Sequence, residues 1–363
     1  MDRYNRHIIL SEVGQTGQAK LFQAKVLVVG ACGLGCPVLQ YLAAAGVGTI
    51  GIIDFDVVEE SNLQRQILFG TSSLGKSKAE AAKSRLQDLN DTIIINTYAE
   101  MLTFQNAIDL FNQYDIIVDG TDNFETRYLI NDASVITGKP EVFGAIYKFQ
   151  GQVSVFNYHH GPTYRCAFPN KPKQDAVPNC SEIGVLGVLP GIIGTMQANE
   201  VLKIILGIGS VLSGKLYCYD ALSNQSITLS IKKNDVEIQN VLLGKNNFEK
   251  QLFGTYCESS FEVSIKDILN KEDVQFIDVR ELNEQPKVED FCIMQIPLSE
   301  LEKHLDKLNA DRKIAIFCQS GIRSKQAVSI LKQYNIHNCF SIKEGAFEIN
   351  RYIKGSQKHI TNE

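Results

Sequence analysis

At 363 residues the chain is long enough for two domains, each with its own core. A formal net charge of −5, from 36 Lys and Arg against 41 Asp and Glu, with no basic run, excludes the character of a nucleic-acid binder. The most apolar stretch, 185–212, is interrupted by Gln197, Asn199, Glu200 and Lys203, so it reads as a buried helix and not a membrane span. The N-terminal MDRYNRHIIL lacks the regions of a signal peptide. Together with nine cysteines, an odd number, this predicts a reducing cytoplasmic setting.

In chain order, KVLVVG (25–30) is an apolar run suited to a strand buried on both faces. PVLQYLAAAG (37–46) has helical spacing, with a proline early and a glycine at its end. TIGIID (49–54) is the next strand, 75–89 a surface helix, TIIINTY (92–98) a strand, 104–113 a helix, and YDIIVDG (114–120) a strand. This alternation predicts an open, doubly wound, Rossmann-like and mostly parallel sheet. After Pro140 the pattern changes. KFQGQVSVFN (148–157) and KLYCYDA (215–221) suggest an antiparallel extension, with a helix over 187–206 packed across it. The polar, glycine-bearing segment 243–257 reads as a linker between a domain at 1–242 and a small α/β domain at 258–363. In the latter, VQFIDV (274–279) and KIAIFC (313–318) are buried strands, and 299–308 and 322–334 are helical.

The first strand runs into Gly30, Gly33 and Gly35. Such turns let backbone N–H groups approach a phosphate, and the helix N-terminus behind them favours the anion. Asp54, 19 residues after Gly35, stands where an acidic residue takes ribose hydroxyls. NAD and ATP fit these features equally well. Further along, EESNLQRQILF supplies Asn62 and Arg65, GKSKAE supplies Lys78 at a helix start, and DGTDN supplies Asp122 and Asn123 past a strand end. A guanidinium, an ammonium and a carboxylate beside a nucleotide suit substitution at phosphorus. The cations neutralise charge on a departing pyrophosphate, and the carboxylate can hold Mg²⁺. Alone, Lys78 reads as a solvated helix charge and Asp122 as a helix cap.

RYNRHIIL, GxxGxG, DFDxVxxSNLQRQ, GxxK, TDNxxxR and PNCSEIGVLG, in this order across 2–242, closely resemble the MoeB/ThiF family, bacterial relatives of ubiquitin-activating enzymes. The resemblance implies ATP-dependent adenylation of the C-terminal glycine of a ubiquitin-like sulfur-carrier protein of MoaD/ThiS type, with Gly-Gly at its end. It implies that Gly33 and its neighbours line the phosphates, that Asp54 binds the ribose, and that Ser61, Asn62, Leu63, Gln64 and Arg65 form the phosphate-side segment. Lys78 would contact the phosphates, and Asp122 would hold Mg²⁺ with Asn123 beside it. Arg6 would reach the nucleotide of a partner subunit, which makes the enzyme a homodimer with the 187–206 helix a candidate for the contact. Read without the resemblance, Arg6 is a surface charge.

Most of that family carries two CxxC pairs that bind a structural zinc. Here the first pair is Thr163 and Cys166, and the segment IKKNDVEIQNVLLG, where the second belongs, has no cysteine, so no zinc is expected. Cys180, in the loop DAVPNCSEIGVLG, matches the family's loop cysteine. The resemblance gives it one of two roles, a thioester with the activated glycine or resolution of an acyl disulfide. Cys32, Cys36, Cys218, Cys257, Cys292 and Cys339 read as small buried hydrophobes.

KIAIFCQSGIRSKQA places Cys318 directly after a buried strand, followed by Gly321, Arg323 and Ser324 and then a helix. A backbone N–H cradle, a helix N-terminus and a guanidinium favour a thiolate or a persulfide anion there. Cys318 alone reads as a strand-end cysteine before a polar turn. C-x-x-G-x-R-S, with IDVRE at 277–281, resembles the rhodanese (sulfurtransferase) domains over 258–352, and implies structural roles for Asp278 and Arg280. The stretch LNEQPKVEDFCIMQIPLSEL departs from that family's GHIPGA-like turn, so a different pocket wall is expected. The Cys-to-Arg spacing is too short for a tyrosine phosphatase.

The sequence therefore predicts an adenylating domain joined to a persulfide-carrying domain. Together they convert a carrier's carboxylate to a thiocarboxylate, with ATP and Mg²⁺ required and a cysteine desulfurase or other persulfide donor as sulfur source. Two other readings stand beside it: an NAD- or FAD-dependent oxidoreductase with a sulfurtransferase tail, and a carrier-binding scaffold without activity.

Overall fold

The computed structural model describes residues 2–172, 184–251, 262–269, 273–288, 293–309, 312–319, 321–334, 336 and 338–352. The chain divides into two compact units, Met1–Phe253 and Gly254–Glu363. In the first, β1 (Lys25–Val29), β2 (Thr49–Ile53), β3 (Ile94–Tyr98), β4 (Ile116–Asp119), β5 (Glu141–Tyr147), β6 (Gln150–Phe156), β7 (Lys215–Asp220) and β8 (Gln225–Ser230) form one sheet. Its order is β3-β2-β1-β4-β5-β6-β7-β8. The first five are mutually parallel, and β5 to β8 pair antiparallel. The chain leaves β1 toward β2 and β3, then returns to place β4 on its other side. This reversal opens a crevice beyond the carboxyl ends of β1 and β4, where ligands bind in open α/β sheets.

The strand β1 is buried on both faces because its residues alternate between two cores. Val26 and Val28 pack with Leu39, Leu42, Ile50 and Val201, while Leu27 and Val29 pack with Leu110, Phe111, Ile117 and Leu129. Helix Gly35–Ala45 ends at Gly46, whose φ of 79° is the left-handed conformation that glycine adopts without penalty. The 19-residue helix Val188–Leu206 packs on β5 and β6, with Ile193 against Val153 and Gln197 hydrogen-bonded to Val142 O. Among the described residues no helix is long and apolar enough to cross a membrane.

The segment expected as a linker begins differently. Phe248 is 2% exposed and meets Phe104 edge-on at 5.1 Å, so this part of 243–257 belongs to the first unit's core. An isolated Phe in a polar, glycine-bounded stretch carries no periodicity that would mark it as buried.

The second unit holds β9 (Glu262–Val263), β10 (Val274–Asp278), β11 (Ile293–Gln295), β12 (Lys313–Phe317) and β13 (Cys339–Ile342). They form a wholly parallel sheet in the order β11-β10-β12-β13-β9. Helix Ile322–Gln333 follows β12, and Leu298–Lys307, over the stretch expected to be helical, is a 3₁₀ run broken at His304.

Where the family's zinc would sit, hydrogen bonds join the pieces. Cys166 Sγ accepts from Thr163 N and Asn234 N, each at 3.3 Å, and lies 3.3 Å from Thr163 Oγ1. Beside it Arg165 makes a two-pronged ion pair with Asp132, at 2.6 and 2.8 Å, and stacks over Tyr128 at 4.7 Å. A threonine, one thiol and an asparagine do not fit a tetrahedral zinc.

Candidate active sites

The glycine turn is fixed by close approach. Gly30 has φ +90°, and its N–H donates to Ile53 O at 2.9 Å. A Cβ on Gly35 would lie 1.9 Å from Gly30 O, so only glycine fits. Gly33 faces the start of the long helix, 3.1 Å from Pro190 and 3.7 Å from the Arg65 side chain as measured from an added Cβ.

Asp54 closes the turn from below. Its Oδ2 accepts Ala31 N at 2.8 Å and its Oδ1 accepts Asp56 N at 2.9 Å, so one buried carboxylate ties the end of β2 to the turn after β1. Burial raises its pKa, opposed by the nearby Lys78. Lys78 opens helix Lys78–Leu89, is 4% exposed, and donates to Asp56 Oδ2 at 2.8 Å. Burial works against its ammonium, but the acidic surroundings, Asp54 and Asp56 among them, outweigh it and raise the pKa. Cys32 sits amid these groups. Burial pushes its thiol up, Asp54, Asp122 and Asp56 push further, and Lys78 opposes. Asp54, Asp56 and Lys78 thus stand together behind the glycine turn. Cys36 is pushed up to about 12 by burial, so both thiols of the turn remain protonated at neutral pH, as small apolar groups do.

The 61–65 segment lies against the same helix start. A Cβ on Gly187 would come 2.4 Å from Gln64 O. Asn62 is buried and accepts Glu59 N at 3.2 Å, Arg65 Nη1 donates to Ser61 O at 3.0 Å, Leu63 packs into the core, and Ser61 and Gln64 are exposed. Past β4, Asp122 is exposed. Asn123 caps helix Phe124–Thr137 by accepting Thr126 N at 2.9 Å, so the capping role that Asp122 alone suggested belongs to its neighbour. Thr121 is gripped on three sides. Asp119 Oδ1 accepts its N–H at 2.8 Å and its hydroxyl at 2.6 Å, and Arg127 Nη2 donates to its carbonyl at 3.2 Å. One exposed carboxylate with phosphate oxygens beside it suits Mg²⁺, which keeps several waters and takes one or two protein carboxylates.

Arg6 is exposed. Two residues before it, Tyr4 is held by Asn90 Nδ2 at 2.8 Å and stacks edge-on against Phe22, beside Gly46. Gly46 and Asn90 precede β2 and β3, so the N-terminal segment occupies the opposite edge of the sheet.

In the second unit Cys318 directly follows β12 and is 1% exposed. Its Sγ lies 3.7 Å from Ser324 Oγ, which also contacts Gly321 O at 2.9 Å and Ser341 Oγ at 2.8 Å. Gly321 has φ +86°. Arg280, wholly buried, chelates Asp278 at 2.9 and 2.7 Å and donates to Gln319 Oε1 at 3.0 Å, joining the IDVRE strand end to the sulfur loop. Arg323 does not stand free. It forms a two-pronged pair with Glu284, one arm at 2.7 Å, and this pair holds the Glu284 carboxyl down to about 2.

The sequence reading passed over Asp56, Asp119 and Glu284. Asp56 lies within DFDxVxxSNLQRQ and Glu284 within LNEQPKVEDFCIMQIPLSEL, but nothing local marks the partner of either. Cys180 lies outside the described residues.

The ThiF family profile matches residues 4–240, and a rhodanese-like domain profile matches 263–351. A sulfur carrier protein adenylyltransferase of Thermus thermophilus is 52% identical over 241 residues, 64% of this chain and 88% of that protein. A probable adenylyltransferase/sulfurtransferase MoeZ of Mycobacterium tuberculosis is 40% identical over 360 residues, 94% of this chain and 91% of that one. Among solved structures, E. coli MccB with ATP shares the fold, with a TM-score of 0.56 at 23% identity over 64% of this chain and 72% of that one. The chain belongs to the ThiF family and carries a C-terminal rhodanese-like domain.

Proposed function

We propose that this protein adenylates the C-terminal glycine of a ubiquitin-like sulfur carrier and then delivers sulfur to it from Cys318. The observation that carries the reading is the grouping of Asp54, Asp56 and Lys78 at the glycine turn, in a chain that also holds Cys318 in a rhodanese-like loop. Its relatives along nearly the whole length are named for the same two activities.

A carrier carboxylate oxygen attacks the α-phosphorus of ATP. The new bond is acyl–O–P, and pyrophosphate leaves with the electron pair. Asp54 holds the ribose, and Arg65 and Lys78 offset the charge that builds on the departing phosphates. Mg²⁺ held at Asp122 would supply further neutralisation of the phosphates. Thr121, fixed by Asp119 and Arg127, keeps Asp122 at the crevice.

A persulfide on Cys318 then attacks the acyl carbon through its terminal sulfur. A C–S bond forms and AMP leaves, giving an acyl disulfide. A second thiol attacks Cys318 Sγ and releases the thiocarboxylate. Cys180 is the candidate for this step, and the resulting protein disulfide returns to thiols through an external thiol reductant. Sulfur comes from a persulfide donor such as a cysteine desulfurase, and a reducing cytoplasm suits this cycle. Because Tyr4, two residues before it, is held near the amino ends of β2 and β3, we assign the exposed Arg6 to the nucleotide of a second copy in a homodimer.

The test is ATP–pyrophosphate exchange with Gly-Gly-terminated carriers. Exchange that depends on the carrier and is lost in Asp122→Ala is expected. No exchange with any such carrier would overturn the reading.

A further inference from the structure

The loop that carries Cys318 meets a second segment of the same unit, the turn after β10. Glu284 N donates to Glu281 O at 3.1 Å, and Glu284 Oε1 accepts Glu281 N at 2.9 Å, so this carboxylate helps to close its own turn. Arg280 Nη1 pins the turn to the sulfur loop through Gln319 Oε1, at 3.0 Å. From that position the two oxygens of Glu284 grip the two terminal nitrogens of Arg323, one pair at 2.7 Å. Arg323 stands beside the sulfur. The next residue, Ser324, places its Oγ 3.7 Å from Cys318 Sγ, and a thiolate at Cys318 acts on the Arg323 guanidinium. The other guanidinium at the loop is matched as well, since Arg280 chelates Asp278. Glu284 comes from LNEQPKVEDFCIMQIPLSEL, the stretch expected to alter the pocket wall.

We propose that Glu284 is a specificity residue for the sulfur donor: by occupying Arg323 it directs Cys318 toward a singly charged persulfide and away from a dianion such as thiosulfate. The inference rests on the reading of Cys318 as the sulfur carrier. Cys318 is 1% exposed, so a donor that reaches it gives up much of its water and meets these charges at short range. The energy of a donor in the field of the loop scales with its charge, so a dianion feels the loss of a cation twice as strongly as a monoanion. The two-pronged pair also takes the end of the guanidinium that would fork an oxyanion. With a persulfide R–S–S⁻, the Cys318 thiolate attacks the terminal sulfur. A new S–S bond forms, the donor's S–S bond breaks, and R–S⁻ leaves with the electron pair. With thiosulfate the same attack expels sulfite, whose two charges neither guanidinium is free to offset.

The test is Glu284→Gln in the full-length protein, with sulfur on Cys318 weighed by mass spectrometry of the peptide that carries it. The donors are thiosulfate and 2-hydroxyethyl persulfide, small molecules that differ in charge. With Arg323 released, the second-order loading rate for thiosulfate rises on the order of tenfold, and that for the persulfide on the order of threefold, half as much on a logarithmic scale. The thiosulfate gain shrinks with added salt. Glu284→Gln combined with Arg323→Gln abolishes the gain, because the released cation is then gone. A substitution that only loosened the loop would lower loading from both donors. Equal gains for the two donors, or no gain for thiosulfate, overturn the proposal. If Cys318 of the unaltered protein takes sulfur from neither donor, the reading of Cys318 as sulfur carrier fails instead.

Discussion

In the crevice, Lys78 is bonded to Asp56 and acted on by Asp54, and the acidic groups that act on Cys32 there, Asp54, Asp56 and Asp122, outnumber the ammonium. At the Cys318 loop each guanidinium has its own carboxylate, Arg280 with Asp278 and Arg323 with Glu284. Under the proposed function the first arrangement takes a polyanion only together with Mg²⁺, since its own carboxylates outnumber its cation. The second fixes a loop geometry and leaves little net charge near the sulfur. Under the proposed function, charge in one unit acts on the substrate, and in the other it acts on the protein.

Three substitutions probe this contrast, in decreasing order of effect. Lys78→Ala removes the cation that Asp54 and Asp56 share, and pyrophosphate exchange should fall by about 10²–10³-fold, the scale of losing one aligned electrostatic group. The corresponding loss at the sulfur loop should be smaller, so an equal fall in transfer for Arg323→Ala would erase the distinction. Phe248→Ala should destabilise the first unit by about 3 kcal/mol, the cost of deleting a buried aromatic ring. Calorimetry on a chain ending at residue 253 should show a folded unit, and one ending at 242 a markedly weakened one.

The pair Glu284–Arg323 gives the smallest effect and a sign that can be checked. Glu284 moves from an ordinary value of 4.5 to about 2 in the folded state. A depressed carboxyl stabilises the fold above the unfolded value, and that contribution is lost as pH falls from about 4.5 through about 2. Because both side chains are partly exposed, solvent screening limits it to about 1 kcal/mol or less. Glu284→Gln should therefore lower stability at pH 7 slightly and flatten this acid limb in urea titrations. An unchanged limb would mean that Arg323 is not held by Glu284 in solution.

Much of the first unit was legible because its parallel strands are apolar on both faces. Runs such as KVLVVG and TIGIID announce themselves without partners. The strand β5 did not, since it begins with a wholly buried Glu141 and contains Gly144, which breaks an apolar run. Of the residues carried by continuous motifs, Asp54 reaches the turn through Ala31 N, and Lys78 stands behind it on Asp56. What stayed hidden were pairings across distance: Lys78 with Asp56, Cys166 with Asn234, and Glu284 with Arg323. No local periodicity encodes which carboxylate a guanidinium thirty-nine residues away will meet. Arg323 read as a free cation near a thiol, and only the fold shows that its charge is already matched.

The most direct test combines both units in one reaction. The full-length protein, ATP, Mg²⁺, a Gly-Gly carrier and a persulfide donor are mixed, and the carrier is weighed by mass spectrometry. The account predicts replacement of one carboxylate oxygen by sulfur in the unaltered protein, and none in Cys318→Ala, which still exchanges pyrophosphate. Thiocarboxylate formed by Cys318→Ala at the unaltered rate would contradict it.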